Sequence, residues 1–306
     1  MFASRRTTHC AIATLSALIF TRVMPPTTSL HALAANTNAS GVNPFRTGHT
    51  LVIPHNGGDG DYPADSLAAY DASMAAGGEV VDIDVAKTRD GVFVAFHDAT
   101  TDATTGIHGT VAEMTLAKLR TLNIGWGFRT PHGNHPFRQQ PQRVPTVAEV
   151  LARFPHALVS LDLKYLDPDI TGPLCVLLHT AHRTTQAFIG SKNPDQIITL
   201  RRQCPDVQTT LDPPEEIAFR RASRLNTRFV TPSFVDQTPY SEHSTNLVTP
   251  GLIAFAHNRN IALLTWVVDD EATMRRLVAM HVDGIYTRKP ALLARIIRQS
   301  RRATRA

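Results

Sequence analysis

The sequence predicts an α/β fold, a (β/α)8 TIM barrel with a long loop inserted between the second and third barrel strands. Three observations carry that expectation. Short apolar runs bounded by polar, Gly or Pro residues alternate with helical stretches along most of the chain, the pattern of a parallel sheet covered by helices. About eight such units occur within 306 residues, and a closed barrel needs roughly 250. The first loop between a strand and a helix lacks a G-x-G-x-x-G fingerprint, which weighs against an open doubly wound sheet, the other architecture open to this alternation.

The first 34 residues read as a secretory signal peptide. Arg5 and Arg6 precede the apolar stretch Cys10 to Phe20, which is too short to span a bilayer. Ala32-Leu33-Ala34 offers an A-x-A cleavage site. A twin-arginine signal rests on one adjacent pair, which is a weak motif, and a disordered leader gives the same pattern. The expected location is secreted or periplasmic. Residues 35–46 read as a flexible lead-in, 47–298 as the folded domain and 299–306 as a basic tail.

Strand candidates follow in order: Leu51–Pro54, Val80–Val85, Val92–Phe96, Leu158–Leu163, Ala187–Ile189, Val207–Leu211, Phe229–Thr231, Ile261–Val267 and Gly284–Tyr286. Between them lie helical stretches. Several begin with Pro or follow Ser, Thr or Asp, as in TVAEVLARF, PDQIITLRRQ, PGLIAFAHNR and PALLARIIRQ. Ala99 to Pro145 breaks the rhythm. Its piece WGFRTPHGNHPFRQQPQRVPT is too rich in Gly and Pro for a long regular element, so it reads as the inserted loop.

The net charge is +5, and five arginines crowd the segment from Arg295 to Arg305. That end suits a solvated tail, and it also suits peripheral contact with an anionic membrane surface. No basic stripe interleaved with aromatics appears, so nucleic acid is not an expected partner. Of three cysteines, Cys10 would leave with the signal. Export would permit a Cys175–Cys204 disulfide, and a buried free thiol at Cys175 is equally open. No Cys–His spacing suggests zinc.

The chemistry concentrates between Leu51 and Asp98. One strand delivers His55. The next carries Asp82 and Asp84, whose side chains share one face because strand residues alternate. VFVAF then delivers His97-Asp98. Farther on, Asp162 and Lys164 share a face of another strand. Carboxylates suit a hard cation, and imidazoles move protons. The plainer readings are salt bridges from Asp82 and Asp84 to Lys87 or Arg89, an internal Asp162–Lys164 ion pair and a core role for Trp266.

In order and spacing these pieces resemble the glycerophosphodiester phosphodiesterases, from about Leu51 to Arg295. That family shows H-R-G, P-E-N-T-L, E-L-D, H-D, E-I-K, W-T-V-N-D and G-V-D-G-I-x-T-D-x-P. The matching pieces are His55-Asn56-Gly57, Pro63-Ala64-Asp65-Ser66-Leu67, Asp82-Ile83-Asp84, His97-Asp98, Asp162-Leu163-Lys164, Trp266 to Asp270 and His281 to Pro290. The resemblance implies a TIM barrel that hydrolyses glycerophosphodiesters, small-molecule phosphodiesters, to glycerol 3-phosphate and an alcohol. His55 and His97 would be acid and base. Asp82, Asp84 and Asp162 would hold one divalent ion, Ca²⁺ or Mg²⁺. Asn56, Lys164 and Trp266 would contact substrate.

The departures are specific. The family arginine is Asn56, its glutamate is Ala64, and two metal-binding glutamates are shortened to Asp82 and Asp162. Asn cannot replace a bidentate phosphate clamp. Two alternatives follow: a catalytically weakened relative that binds phosphorylated ligands, or a phosphodiesterase acting on another lipid substrate.

Overall fold

The structure, a computed structural model, describes residues 41–164, 170–240 and 247–305, with side chains to residue 303. The expected signal peptide and residues 35–40 of the lead-in lie outside the described residues.

The elements run β1 (Leu51–Pro54), α1 (Leu67–Ala75), β2 (Val80–Lys87), β3 (Phe93–Ala95), α2 (Asp102–Thr105), α3 (Leu116–Leu119), α4 (Val147–Arg153), β4 (Leu158–Leu163), α5 (Thr171–Thr180), β5 (Ala187–Gly190), α6 (Pro194–Gln203), β6 (Gln208–Thr209), α7 (Pro213–Leu225), β7 (Val235–Pro239), α8 (Pro250–His257), β8 (Ala262–Trp266), α9 (Glu271–Ala279), β9 (Gly284–Thr287) and α10 (Pro290–Arg305). The helix starts obey local chemistry. Ser66, Thr146, Asn193, Asp212, Thr249 and Asp270 each cap a helix by accepting a backbone N–H with the side chain.

All strands except β3 pair in parallel, in the orders β1-β9-β8-β7 and β2-β4-β5-β6. Backbone bonds join the two arcs at both seams. The Glu79 N–H donates to the Val52 carbonyl at 2.9 Å, and a parallel bridge links Thr210 to Val235. The result is the expected TIM barrel.

Its interior is layered. Leu51, Ile53, Val80, Phe188, Val235, Ala262 and Leu264 form a dry floor. On β2, Val81, Ile83 and Val85 face the helices, so Asp82 and Asp84 face inward above Val80.

Three expectations are corrected. From residue 41 the lead-in belongs to the fold. Phe45 is fully buried in the floor, edge-on to Phe188 with ring centroids 4.8 Å apart. Asn43 Nδ2 donates to the carbonyls of Phe234 and Asn260, both at 2.8 Å. A strand is absent at Phe229–Thr231. Phe229 packs on Phe219 from a loop, and the strand is β7, whose polar sequence VDQTP hides it from a search for apolar runs. The basic tail is not a separate segment, because α10 runs through Arg305. It buries Leu293, Ala294, Ile296 and Ile297 and exposes Arg295, Arg298, Arg301 and Arg302.

The insertion lies between β2 and β4, the second and third barrel strands. It holds β3, the single turns α2 and α3, and its own apolar cluster of Val94, Phe96, Val111, Leu119, Leu122, Ile124 and Val144. Cys175 of α5 is bonded to Cys204, which follows α6, so the disulfide ties two neighbouring helices. Among the described residues no helix is long and apolar enough to cross a membrane.

Phe45 provides a direct test of the docked lead-in. Phe45→Ala should destabilise the protein by about 3–5 kcal/mol, the usual cost of emptying an aromatic site in a core. Urea unfolding measures it, and a change under about 1 kcal/mol would mean that the segment is not seated in the floor.

Candidate active site

The C-terminal ends of the barrel strands open into a cleft of about 190 Å³. His55, Asn56, Asp82, Asp84, His97, Asp162, Lys164 and Trp266 all line it, so every residue singled out in the sequence converges on one place.

β1 ends at Pro54, and the chain turns at once through His55-Asn56-Gly57. Asn56 takes a left-handed conformation, φ 48° and ψ 39°, which Asn tolerates better than most residues. Gly57 also has positive φ, and a Cβ there would meet the Tyr70 ring at 2.8 Å. The turn aims the Asn56 N–H at Asp82 Oδ2, 3.0 Å away. It also sets His55 Nδ1 at 3.3 Å from both oxygens of Asp59. Burial opposes protonation of His55. The bond to Asp59 and the charges of Asp82, Asp59 and Asp84 outweigh it, so His55 titrates above an ordinary imidazole.

Parallel register places Asp84 opposite Asp162 and Asp82 opposite Ser160. Lys164 bridges the first pair, with Nζ 2.5 Å from Asp162 and 3.3 Å from Asp84. Burial opposes the Lys164 charge, yet the two carboxylates hold its pKa above the ordinary value. Burial, then the Asp84 charge, pushes Asp82 up to about 7. Asp84 is raised too, by burial foremost and against the Lys164 charge. Its Oδ2 is buried without a protein partner.

His97 arrives by a route that the sequence misassigns. β3 is not a barrel strand. It doubles back antiparallel along β2, pairing Val85 with Ala95, and the Phe96 N–H donates to the Asp84 carbonyl at 2.8 Å. This return sets His97 beside the carboxylates, half exposed, with Nδ1 2.8 Å from Asp98. Trp266, at the end of β8, donates from Nε1 to the Gln237 carbonyl at 3.4 Å.

The profile of the glycerophosphoryl diester phosphodiesterase family matches residues 55–292. The chain belongs to that family. It is therefore a phosphoric diester hydrolase. A glycerophosphodiester phosphodiesterase of Caldanaerobacter subterraneus is 27% identical over 262 residues, covering 82% of this chain and 98% of the relative. Two solved structures share the fold. One is a putative family member from Silicibacter pomeroyi, at TM-score 0.65 and 23% identity over 82% of this chain and 94% of that one. The other is an Oleispira antarctica phosphodiesterase in complex with the product sn-glycerol-3-phosphate, at TM-score 0.66 and 19% identity over 83% and 99%.

Some residues of the site carry more than sequence reasoning assigned them. Two of these are Asp59 and Asp65. Asp59 is the partner of His55 and lies 3.7 Å from Arg288, the residue that replaces the aspartate of T-D-x-P. Asp65 is buried beneath the site, where Oδ1 accepts from the Tyr70 hydroxyl at 2.8 Å and from the Asp84 N–H at 3.4 Å. Tyr286 joins the lining, its hydroxyl 3.1 Å from Ser160. Asp59 joins His55, in the turn after β1, to Arg288, in the loop after β9, and the second partner is distant in the sequence.

The raised Asp82 pKa has a definite sign. Asp82 holds its proton in the fold up to about 7 but would lose it near 3.8 unfolded, so metal-free stability falls as pH rises through that window. His55, also raised, acts in the same direction. Thermal melting between about pH 5 and about pH 8 should show a decline that is shallower in Asp82→Asn. Equal slopes in the two proteins would refute the assignment.

Proposed function

We propose that this enzyme hydrolyses small glycerophosphodiesters to glycerol 3-phosphate and an alcohol, with His55 and His97 moving the protons and one divalent cation at Asp82, Asp84 and Asp162. The observation that carries this reading is the convergence of two carboxylate-paired imidazoles and three acidic side chains on one cleft.

The donor set fits a cation. Asp82 and Asp84 are buried in an acidic cluster in which Lys164 pairs directly with Asp84 and Asp162, and among the described residues Asp84 Oδ2 has no partner. All-oxygen donors suit Ca²⁺ or Mg²⁺. When bound, such an ion would polarise the phosphoryl oxygens and offset the charge of the diester.

The chain's own residues do the rest. His55 is held at Nδ1 by Asp59, which leaves Nε2 to exchange a proton. Its raised pKa keeps it protonated nearer neutrality, which suits the acid. His97, held at Nδ1 by Asp98, is the base. As the nucleophile's oxygen bonds to phosphorus, His97 takes its proton. As the bond from phosphorus to the leaving oxygen breaks, His55 gives that oxygen a proton. The nucleophile is water, or the substrate's own 2-hydroxyl with water opening the cyclic phosphate. Lys164 and Asn56 face the phosphate, and Trp266 walls the far side. The product named in the Oleispira antarctica complex agrees with this reading. We further propose that the protein is exported, a reading that the Cys175–Cys204 bridge supports.

Release of glycerol 3-phosphate from a panel of glycerophosphodiesters tests the reaction. His55→Ala and His97→Ala should each lower kcat by ~10²–10⁴-fold with folding intact. Near wild-type turnover in either variant would remove that histidine from the mechanism. A chelator should abolish activity, and added Mg²⁺ or Ca²⁺ should restore it. Full activity after exhaustive chelation would exclude the cation.

A further inference from the structure

The cleft has two unlike halves. The carboxylates, histidines and Lys164 come from β1 to β4. The opposite half comes from the loops after β5 and β6 and the ends of β7 and β8, and it presents Lys192, Thr210, Glu216, Gln237 and Trp266. The phosphate must lie with the first half, so the second half meets one of its two substituents.

Two features define what the second half accepts. Lys192 Nζ stands over the Trp266 ring, 5.7 Å from its centroid. Glu216, in the first turn of α7, accepts from Arg220 Nη2 at 3.2 Å. Burial pushes the Glu216 carboxyl up to about 7, with the Asp236 charge adding and Arg220 opposing. Burial thus weakens the negative charge of Glu216, and Arg220 pairs with the charge it carries.

We propose that this half is the subsite of the leaving alcohol, and that Lys192 makes it select a neutral polyhydroxylated group, such as glycerol or a cyclic polyol, over a quaternary ammonium alcohol. The proposal rests on the diesterase reading above. A quaternary ammonium group is recognised on an open aromatic face. Here the Trp266 face already carries an ammonium, and a second cation would be repelled. Glu216 offers no compensating full charge, since Arg220 already occupies it. A hydroxyl both donates and accepts, so it can take a bond from Lys192 and give one to Glu216 or Gln237. A trimethylammonium can do neither. The cleft, at about 190 Å³, is also smaller than the ~300–1,000 Å³ of sites that take drug-sized ligands, which suits a small alcohol.

The test is kcat/KM for glycerophosphoglycerol and glycerophosphocholine, by release of glycerol 3-phosphate, in wild type and Lys192→Met. Lys192 is exposed, and Met keeps an unbranched stem without the charge. Wild type should prefer the glycerol diester by about tenfold or more, the scale of one charge-assisted hydrogen bond. Lys192→Met should lose about that factor on the glycerol diester and gain on the choline diester. Equal use of both diesters by wild type overturns the subsite and leaves the diesterase reading intact. So does an unchanged preference in a folded Lys192→Met. Release from neither diester overturns both. The wild-type ratio needs no variant, so it decides the question even if Lys192→Met is unstable.

Discussion

The structure depends on holding three carboxylates together inside a barrel. Asp82 and Asp84 point inward because strand residues alternate, and parallel register brings Asp162 opposite Asp84. Like charges at such range cannot all ionise without a cation nearby. Nearly every polar feature of the mouth answers that demand. Lys164 lies between Asp84 and Asp162, the Asn56 N–H reaches Asp82, and Asp82 itself titrates near 7. The site is thus an electrostatic problem that the backbone creates and that a divalent ion is suited to relieve.

Such a cluster would be lost on a soft scaffold. Beneath it lies a dry layer plugged from below by Phe45 and pinned by Asn43. The layer order fixes the depth at which charge begins: Val80, then Asp82 opposite Ser160, then Asp84 opposite Asp162. The insertion has an apolar core of its own, and its first strand uses the β2 edge to carry His97 back to Asp84. Both histidines are therefore set by backbone bonds and each is oriented by an aspartate, although one leaves a barrel strand and the other a hairpin.

The departures from the family pattern form a connected set. Asn56 stands for the arginine and fits the left-handed turn that supplies the Asp82 contact. A cation returns from elsewhere, because Arg288 replaces an aspartate and reaches both Asp59 and Asp269. Asp59 in turn holds His55. Positive charge thus lies on the outer side of the turn, where Arg288 pairs with the aspartate that holds His55.

The barrel, the insertion and eight of the cleft residues were legible in the sequence, because hydrophobic period and strand alternation are local properties and the motif spacing follows the strand order. Local pattern failed where a long-range contact decided the outcome. Phe45 looked like part of a flexible lead-in, since its burial depends on Phe188, far along the chain. β7 went unseen because its polar residues face a cleft and a buried network that only the closed barrel creates. β3 looked like a barrel strand, since direction of pairing is invisible in a run of apolar residues. The bonding of Cys175 to Cys204 was open until α5 and α6 lay side by side. Residue chemistry and period thus determined which side chains enter the barrel. Closure of the sheet decided which of them meet, because register and direction of pairing join segments distant in the chain.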